Sequence, residues 1–243
     1  MSSPKPAHLD PSALGTKQYW DDLYKTEITN HATNPADEGT VWFDDSDAEA
    51  KIVEFLSESS ESGSQCDPST AAVLDLGCGN GSLLYALRDE GWSGRLVGVD
   101  YSETSVALAK QVGKARGEDG SVEFMTWDAV NGEFDEDGVT EGGWNLVLDK
   151  GTFDAVSLCG EKDGEGRRVC EGYGGRVARL LKIRGRFLVT SCNWTETELG
   201  MWFEGKGAEG GKLRQVGRIK YPSFSFGGVK GQTISTLCFE KVA

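Results

Sequence analysis

The residues with the clearest chemical meaning are two acids and three glycines between positions 75 and 100. Asp75 precedes glycines at alternate positions, Gly77, Gly79 and Gly81, and Asp100 ends the next apolar run. Glycine has no Cβ and readily adopts positive φ, so this spacing predicts a tight turn that a ligand can approach closely. An ionised Asp100 carboxylate offers two acceptor oxygens, which suits the paired hydroxyls of a ribose. The stretch therefore predicts nucleotide binding.

The spacing argues against nucleotides that bind through phosphate. A dinucleotide fingerprint would place its third glycine at Ser82 rather than at Gly81, and no phosphate-binding lysine follows the turn. Asp75 would repel a pyrophosphate, but it suits a cationic amino-acid ligand. S-Adenosylmethionine carries an adenosine, an ammonium and a sulfonium without phosphate, so it fits this stretch better than NAD. A glycine-rich turn that binds no ligand is the simplest alternative.

The elements around these residues form the nucleotide-binding half of a doubly wound sheet. Residues 71–76 and 95–99 are short apolar runs that predict buried strands, and Leu83, Leu84 and Leu87 share one face of the helix between them. Open α/β sheets bind ligands at the carboxyl ends of their strands. We therefore expect the glycine turn and the acid after the second strand to lie at that edge.

The pattern D-x-G-x-G-x-G, followed by a strand that ends in Val-Asp, resembles the first motifs of the seven-stranded S-adenosylmethionine-dependent methyltransferases. The resemblance implies an α/β, Rossmann-like seven-stranded sheet with helices on both faces. It also implies that the acid after the third strand, Asp128, recognises the adenine amino group, with Trp127 on the ring. Asp128 could instead be an ordinary turn residue. The residues predicted to contact the cofactor are Trp20, Trp42, Asp75, Gly77, Cys78, Gly79, Asn80, Gly81, Asp100, Tyr101, Trp127, Asp128 and Asp149.

A second informative stretch follows the predicted fourth strand, Asn145–Leu148. Asp149 and Lys150 come next, in what we expect to be its C-terminal loop. Strands one and four flank the switch in strand order of this fold, which is where ligands bind. We therefore expect Asp149 and Lys150 beside the sulfonium and the methyl acceptor. The alternative is an Asp–Lys pair on a polar surface turn, which contributes little stability.

Aromatic residues form two clusters before the first predicted strand. The helical pattern over Leu14–Thr26 places Tyr19, Trp20, Leu23 and Tyr24 on one face, and the pair Trp42 and Phe43 follows. We predict that both clusters belong to a lid over the cofactor, although ordinary core packing explains the same residues. The predicted segments are a disordered tail over 1–13, an N-terminal helical cap over 14–56 that ends in a helix at Ala48–Phe55, an acidic low-complexity linker over 57–70, and a catalytic domain over 71–243.

The second half of the chain predicts irregular segments between regular elements. Glu161–Gly175 is charged, glycine-rich and poor in helix propensity, whereas Arg176–Ile183 regains an apolar helical face that Gly185 ends. The remaining predicted elements are a third strand at Val122–Trp127, a fifth strand at Phe187–Thr190, a helix opened by a capping box from Thr195 to Glu198, and an antiparallel pair at Gln215–Tyr221 and Thr233–Lys241.

Composition limits the partners. The net charge of −14 and the pI near 4.6 argue against a nucleic-acid groove or an anionic membrane as the main partner. An acidic surface favours a basic substrate, although solubility explains it equally well. The six cysteines contain no C-x-x-C and both histidines lie near the N-terminus, so we predict no metal and reduced thiols. We also predict no signal peptide and no membrane span.

Longer segments narrow the resemblance. L-G-T-K-Q-Y-W-D-D-L-Y, D-L-G-C-G-N-G, L-D-K-G-T-F-D-A-V-S-L and F-L-V-T-S-C-N-W-T look like the lysine methyltransferases that modify translation elongation factor 1-alpha. The resemblance covers most of Leu14–Lys241 and departs in the linker 57–70 and in the glycine-rich segment 161–175. It implies methyl transfer from S-adenosylmethionine to a lysine of that factor, by an enzyme that we expect to be a cytoplasmic monomer.

Lysine methylation needs a site that buries and deprotonates an ammonium. We predict an apolar wall made by Phe153, Trp194, Trp42 and Tyr19. Asp149 could orient the amine or accept its proton, and Asn193 could hold it through the amide oxygen. The residues predicted to act at the acceptor are Asp149, Lys150, Phe153, Asn193 and Trp194. A small-molecule N- or O-methyltransferase and a non-catalytic module that binds the cofactor remain as alternatives.

Overall fold

A computed structural model describes residues 6–61, 66–134, 143–208, 211–226 and 229–243 of the 243-residue chain. The helices are α1 Lys17–Thr33, α2 Ala48–Glu61, α3 Ser82–Asp89, α4 Glu103–Arg116, α5 Thr152–Leu158, α6 Cys170–Leu180 and α7 Glu196–Phe203. The strands are β1 Val73–Leu76, β2 Leu96–Asp100, β3 Glu123–Thr126, β4 Trp144–Lys150, β5 Leu181–Ser191, β6 Gly207–Ala208, β7 Gly211–Ile219, β8 Ser223–Phe226, β9 Val229–Gln232 and β10 Ser235–Val242.

The main sheet has the strand order β3-β2-β1-β4-β5-β10-β7-β6. The first five strands in this order are parallel, whereas β10 runs antiparallel to both β5 and β7. Seven strands make the body of the sheet, and the two-residue β6 extends its edge. The predicted mixed sheet and its terminal antiparallel pair are thus confirmed. A separate hairpin of β8 and β9 lies in the connection between β7 and β10, which the sequence left irregular.

Helices cover both faces of the sheet, as predicted, and each face has its own apolar core. Leu56 of α2, Leu84 of α3 and Leu108 of α4 are fully buried on one face. Phe153 of α5 and Phe203 of α7 are buried on the other face. Burial of each such side chain contributes roughly 1.5–3 kcal/mol, so the two cores hold the strand ends in fixed positions. None of the described helices combines the length and apolar character needed to cross a bilayer.

Strand β4 is longer than its sequence pattern predicts. Asp149 and Lys150 belong to the strand, where Asp149 pairs with Leu76 of β1 and Val189 of β5. Successive side chains in a strand point to opposite faces of the sheet. Asp149 therefore lies on the face of α5 to α7, and Lys150 lies on the face of α2. The prediction that both follow the strand in one loop is wrong.

Two predicted irregular segments are helical in part. Helix α2 continues through Glu61, beyond the predicted end at Phe55, and the hydroxyl of Ser57 donates a hydrogen bond to the Val53 carbonyl. Helix α6 begins at Cys170, inside the segment predicted to be a poor helix. Packing overrides propensity in α6 because its first turns bury Tyr173. Residues 181–183 are strand rather than helix, and residues 62–65 of the predicted linker lie outside the described residues.

The predicted disordered tail is ordered from residue 6, and residues 1–5 lie outside the described part of the chain. The amide of Ser12 donates to the Leu158 carbonyl at 3.2 Å. His8 stacks on Trp202, with ring centroids 6.0 Å apart. Arg168 holds the carbonyl of Leu9. These contacts draw the segment across α5 to α7 and lead it to the short turn Ala13–Gly15 before α1.

Candidate active site

A cavity of about 320 Å³ opens at the carboxyl ends of β1, β2, β4 and β5. This is the position where open α/β sheets bind ligands, and the volume suits a small-molecule site. Aromatic side chains from the N-terminal cap form one wall, and acidic side chains stand at the strand ends. The predicted site residues that line the cavity are Trp20, Trp42, Gly77, Asp100, Tyr101, Trp127, Asp128, Lys150 and Asn193.

The glycine turn after β1 leaves room where a side chain would collide with its surroundings. Gly77, Gly79 and Gly81 have φ values of +67°, +57° and +81°. A Cβ atom at Gly77 would lie 2.1 Å from Oγ1 of Thr152, whose hydroxyl donates to the Leu76 carbonyl at 2.6 Å. The backbone at Gly77 can therefore line the cavity only because this position has no side chain.

Asp100 is only 5% exposed, and it is tied to the glycine turn. One carboxylate oxygen accepts from the Gly79 amide at 3.2 Å, and the other accepts from the Ser102 amide at 2.9 Å. Burial raises the pKa of Asp100, and these amides oppose the rise. Each oxygen of an ionised carboxylate has about two acceptor positions. One position on each oxygen therefore remains for the two hydroxyls of a ribose.

The N-terminal cap supplies an aromatic wall. The rings of Trp20 and Trp42 meet edge to face with centroids 5.4 Å apart, and the Trp20 indole donates to the Leu14 carbonyl. Tyr24, which belongs to the same predicted aromatic face, is buried beside them and also lines the cavity. Burial raises the pKa of Tyr24 well above its usual value. The indole nitrogen of Trp42 is buried and has no hydrogen-bond partner among the described residues, so it is available to a ligand.

Lys150 connects the cap to the sheet. Its ammonium donates to the Trp42 carbonyl at 3.2 Å and lies 3.3 Å from Oε1 of Glu49 on α2. The same Glu49 oxygen accepts from the Ser82 hydroxyl, at the start of α3, at 2.5 Å. The alternative of a surface Asp–Lys pair is therefore wrong, because the partner of Lys150 is Glu49 and the pair is largely buried.

Asp128 has the geometry of a turn residue and also lies at the cavity. Its carboxylate accepts from the amides of Val130 at 2.7 Å and Asn131 at 3.0 Å, which is the geometry of a turn residue. It also lines the cavity together with Trp127. The Trp127 indole donates to the Glu133 carbonyl, and the guanidinium of Arg176 lies 5.6 Å from its ring. These contacts hold the end of β3 against the cavity.

Three residues predicted to act at the acceptor do not line the cavity. Asp149 is 2% exposed and accepts from the Phe153 amide at 3.0 Å and from the Tyr173 hydroxyl at 2.7 Å. Phe153 belongs to the aromatic core between α5 and α7. Trp194 is buried in the same core, where its indole donates to the Ser157 hydroxyl. The reason is the register of β4, which places Asp149 on the face of the sheet that α5 to α7 cover, in the same core as Phe153 and Trp194.

The other predicted cofactor residues shape the turn from behind. Asp75 is 3% exposed, and burial raises its pKa well above the usual range. Asn80 donates to the Glu38 carbonyl and accepts from the Ser82 amide. Among the predicted residues, Asp75, Cys78, Gly79, Asn80 and Gly81 do not line the cavity. Tyr19, a predicted wall residue, is 36% exposed and does not line it either.

A second acid in the fourth-strand motif does line the cavity, and the sequence analysis missed it. Asp154 lies in the first turn of α5, and its carboxylate accepts from the hydroxyl of Ser191 and from the amide of Cys192 at 2.8 Å. Cys192 and Asn193 line the cavity beside it. The available signal was the spacing within D-K-G-T-F-D, which places Asp154 about one helical turn beyond the strand end.

The residues present fit an adenosyl ligand with a cationic tail. The backbone at Gly77 accepts close approach, Asp100 retains acceptor positions, and the Trp42 indole has no acceptor within the described ranges. Of the lysines and arginines among the described residues, Lys17 and Lys150 line the cavity, and both are paired with carboxylates. The fold and the site together define an α/β protein with a candidate nucleotide-binding cavity that acids and aromatic rings line.

Comparison with known proteins agrees with this class. The family model described as a methyltransferase domain matches residues 68–216. The protein-lysine N-methyltransferase EFM4 of Saccharomyces cerevisiae is 44% identical over 235 residues, which covers 97% of each chain. The EEF1A lysine methyltransferase 2 of Homo sapiens is 33% identical over 232 residues, covering 96% of this chain and 88% of that protein. The chain belongs to this methyltransferase family.

A solved structure shows the same fold. The magnesium protoporphyrin IX methyltransferase of Synechocystis PCC 6803, crystallised with bound S-adenosylmethionine, superposes with a TM-score of 0.56 at 16% identity. The alignment covers 98% of this chain and all of that one. At this identity the likeness extends to the fold alone.

Proposed function

We propose that this protein transfers methyl groups from S-adenosylmethionine to a lysine side chain of translation elongation factor 1-alpha. The observation that carries the proposal is the similarity to protein-lysine methyltransferases over nearly the whole chain, including the cap that covers the cavity. A small-molecule methyltransferase would share the glycine turn, but its function would not require the same cap or the same residues at the end of β5. S-Adenosylmethionine is the cofactor.

The chain's own residues account for cofactor binding. Asp100 would accept from the ribose hydroxyls, and the backbone at Gly77 would make the close contact that its missing side chain allows. Asp128 and Trp127 lie at the end of β3, next to Tyr101, where an adenine ring would rest. The aromatic wall with Trp42 covers the cationic end. Aromatic faces attract cations, so this wall suits a sulfonium.

The bound cofactor supplies an electrophilic methyl group, and its transfer to an amine is an in-line displacement that needs no protein nucleophile. The protein's task is to orient and desolvate the lysine. A free lysine has a pKa of about 10.4 and is charged at neutral pH. Phe43, Ala155 and Val156 line the cavity near Asn193, and such apolar surroundings lower the pKa of an amine. Asn193 offers an amide oxygen that can orient it.

The test is incubation of the purified protein with labelled S-adenosylmethionine and either purified elongation factor 1-alpha or a set of small amines. We expect label in the factor and none in the amines. A labelled amine with an unlabelled factor would favour the small-molecule enzyme. Tight cofactor binding with no labelled product in a lysate that lacks this activity would favour a non-catalytic module.

We also propose that the protein acts as a monomer in the cytoplasm. The cavity is built from one chain, from the cap through β5, which supports a complete site in a single copy. A soluble translation factor as substrate supports the compartment. Sedimentation of the purified protein and fractionation of cells test the two statements separately.

A further inference from the structure

We propose that Asp154, and not Asp149, is the carboxylate that receives the ammonium of the substrate lysine. The inference rests on the proposed function and assigns a substrate-binding residue to it. The sequence position of Asp149 first suggested that role, because it follows an apolar run at the switch in strand order. In the structure, Asp154 lines the cavity and Asp149 does not.

The first argument is position. Asp149 is enclosed by α5 and α6 through the Phe153 amide and the Tyr173 hydroxyl. Asp154 lines the cavity, and so do Cys192 and Asn193 at the end of β5. In the sheet, β1 and β2 lie on one side of β4, and β5 lies on the other. The glycine turn and Asp100 therefore approach the centre of the cavity from one side, and Asp154 approaches it from the other.

The second argument is charge. Asp154 is 6% exposed, and the donors that surround it are neutral: the Ser191 hydroxyl, the Cys192 amide and thiol, and the Asn193 amide. None of the ion pairs among the described residues includes Asp154. A buried carboxylate without a cation is unfavourable, and burial accordingly raises its pKa. A substrate ammonium supplies the counter-charge that the protein lacks.

The third argument is hydrogen-bonding capacity. One oxygen of Asp154 accepts from the Ser191 hydroxyl, and the other accepts from the Cys192 amide at 2.8 Å and the Cys192 thiol at 3.3 Å. A carboxylate has about four acceptor positions, and a thiol is a weak donor. An ammonium with three strong donors can displace the thiol from its position on the carboxylate. The apolar walls of the cavity at Phe43 and Val156 suit the methylene stem of a lysine.

The competing explanation is that Asp154 only fixes the segment Ser191–Asn193. A binding cycle separates the two roles. The methylated lysine is first located by mass spectrometry of the wild-type product, and a factor with that lysine replaced by methionine is prepared. The affinities of wild type and Asp154→Asn for both forms of the factor are measured with S-adenosylhomocysteine present. Asp45→Asn serves as the control, because Asp45 is an exposed acid whose charge also acts on Cys192.

We expect wild type to bind the lysine form about 10- to 100-fold more tightly than the methionine form, as is typical for a charge-assisted hydrogen bond. Asp154→Asn should bind both forms about equally, and the control should keep the preference. The cofactor affinity of Asp154→Asn, measured by calorimetry, should stay within about 2-fold of wild type. The reason is that Gly77 and Asp100 approach the cavity from the side of β1 and β2, whereas Asp154 approaches it from the side of β5.

Equal weakening of both forms by Asp154→Asn would show a role in holding the segment, and loss of cofactor affinity would show a role in the cofactor site. Either result overturns the inference. If Asp154→Asn does not fold, Asp154→Glu replaces it, because it keeps the charge and the acceptor oxygens. Loss of the lysine preference in a folded Asp154→Glu also contradicts the inference. An unlabelled factor with wild-type enzyme refutes the proposed function itself, before the variants are compared.

Discussion

Replacing Lys150 with methionine should weaken cofactor binding while leaving the chemical step nearly intact. The ammonium joins three parts of the molecule: the Trp42 carbonyl in the cap, Glu49 on α2 and, through Glu49, the Ser82 hydroxyl at the start of α3. Methionine is one atom shorter than lysine, and it keeps most of the apolar stem while removing the charge. The aromatic wall at Trp42 then loses its attachment to β4.

The size of the effect follows from burial. The side chains of Lys150 and Glu49 are only 12% and 16% exposed, so solvent screens their attraction little. A hydrogen bond to a charged group contributes about 1.5–3 kcal/mol, and the Lys150→Met variant loses one of this kind. In a domain of this size each kcal/mol lowers Tm by roughly 2–4 °C. A loss of about 1.4 kcal/mol from the closed cap would raise the cofactor Kd about tenfold.

Calorimetry of cofactor binding, with steady-state kinetics and thermal melting, measures these effects. We expect a Kd about tenfold higher, a lower Tm and a kcat within about 3-fold of wild type. Glu49→Gln should behave similarly, and the double variant should be less impaired than the sum of the two, because the residues form one interaction. Lys51→Met is the control, since Lys51 pairs with the exposed Asp47. A kcat lowered about 100-fold at unchanged Kd would refute this reasoning and give Lys150 a role at the acceptor.

Three further predictions follow from the site. Gly77→Ala should raise the cofactor Kd at least about tenfold, because its Cβ would lie 2.1 Å from Thr152 Oγ1. Gly91→Ala is the control, since Gly91 has a φ of +84° and no atom within 4 Å of its Cβ; equal losses of affinity in both variants would mean that backbone strain alone is responsible. Asp100→Asn should weaken cofactor binding about 10- to 100-fold, since an amide cannot accept through its nitrogen, and calorimetry with unchanged affinity would contradict the ribose contact. Burial raises the pKa of Asp149 to about 7 from 3.8, so the carboxyl binds its proton more tightly in the folded protein than in the unfolded chain. Wild type should therefore lose stability relative to Asp149→Asn as the pH rises from about 4 to 7. A constant difference in Tm between the two proteins across that range would contradict this prediction.

Local spacing predicted the glycine turn after β1, because steric limits on the backbone leave few arrangements for residues with positive φ. Asp100 lies one helix and one strand further along the chain, and its place beside the turn follows from the parallel pairing of β1 and β2. The sheet order was also predictable, because short apolar strands alternate with helices up to β5. The structure agrees with these predictions in strand order and in the position of the cavity.

The acceptor side was not predictable from spacing, because it depends on where β4 ends. A strand that continues for two more residues sends Asp149 and Lys150 to opposite faces, so one residue of register decides which acid meets the cavity. Phe153 and Trp194 have the composition of a wall, but their partners come from α6 and α7, far along the chain. Periodicity contains no information about such contacts.

Distant partners also explain the helical errors. The first turns of α6 contain several glycines, and the burial of Tyr173 against Phe153 keeps them helical. The N-terminal segment is polar and proline-containing, which is typical of disorder, yet Trp202 and Arg168 hold it. Intrinsic preference decides the structure only where tertiary contacts are weak.

The N-terminal segment over residues 8–15 leads into the wall of the cavity. It crosses three helices through His8 and Ser12, and then contributes Leu14 and Gly15 to the cavity lining. The Trp20 indole donates a hydrogen bond to the Leu14 carbonyl. The aromatic wall therefore depends on the residue that directly follows the predicted disordered tail. A chain that begins at residue 16 would therefore lack one wall of the cavity.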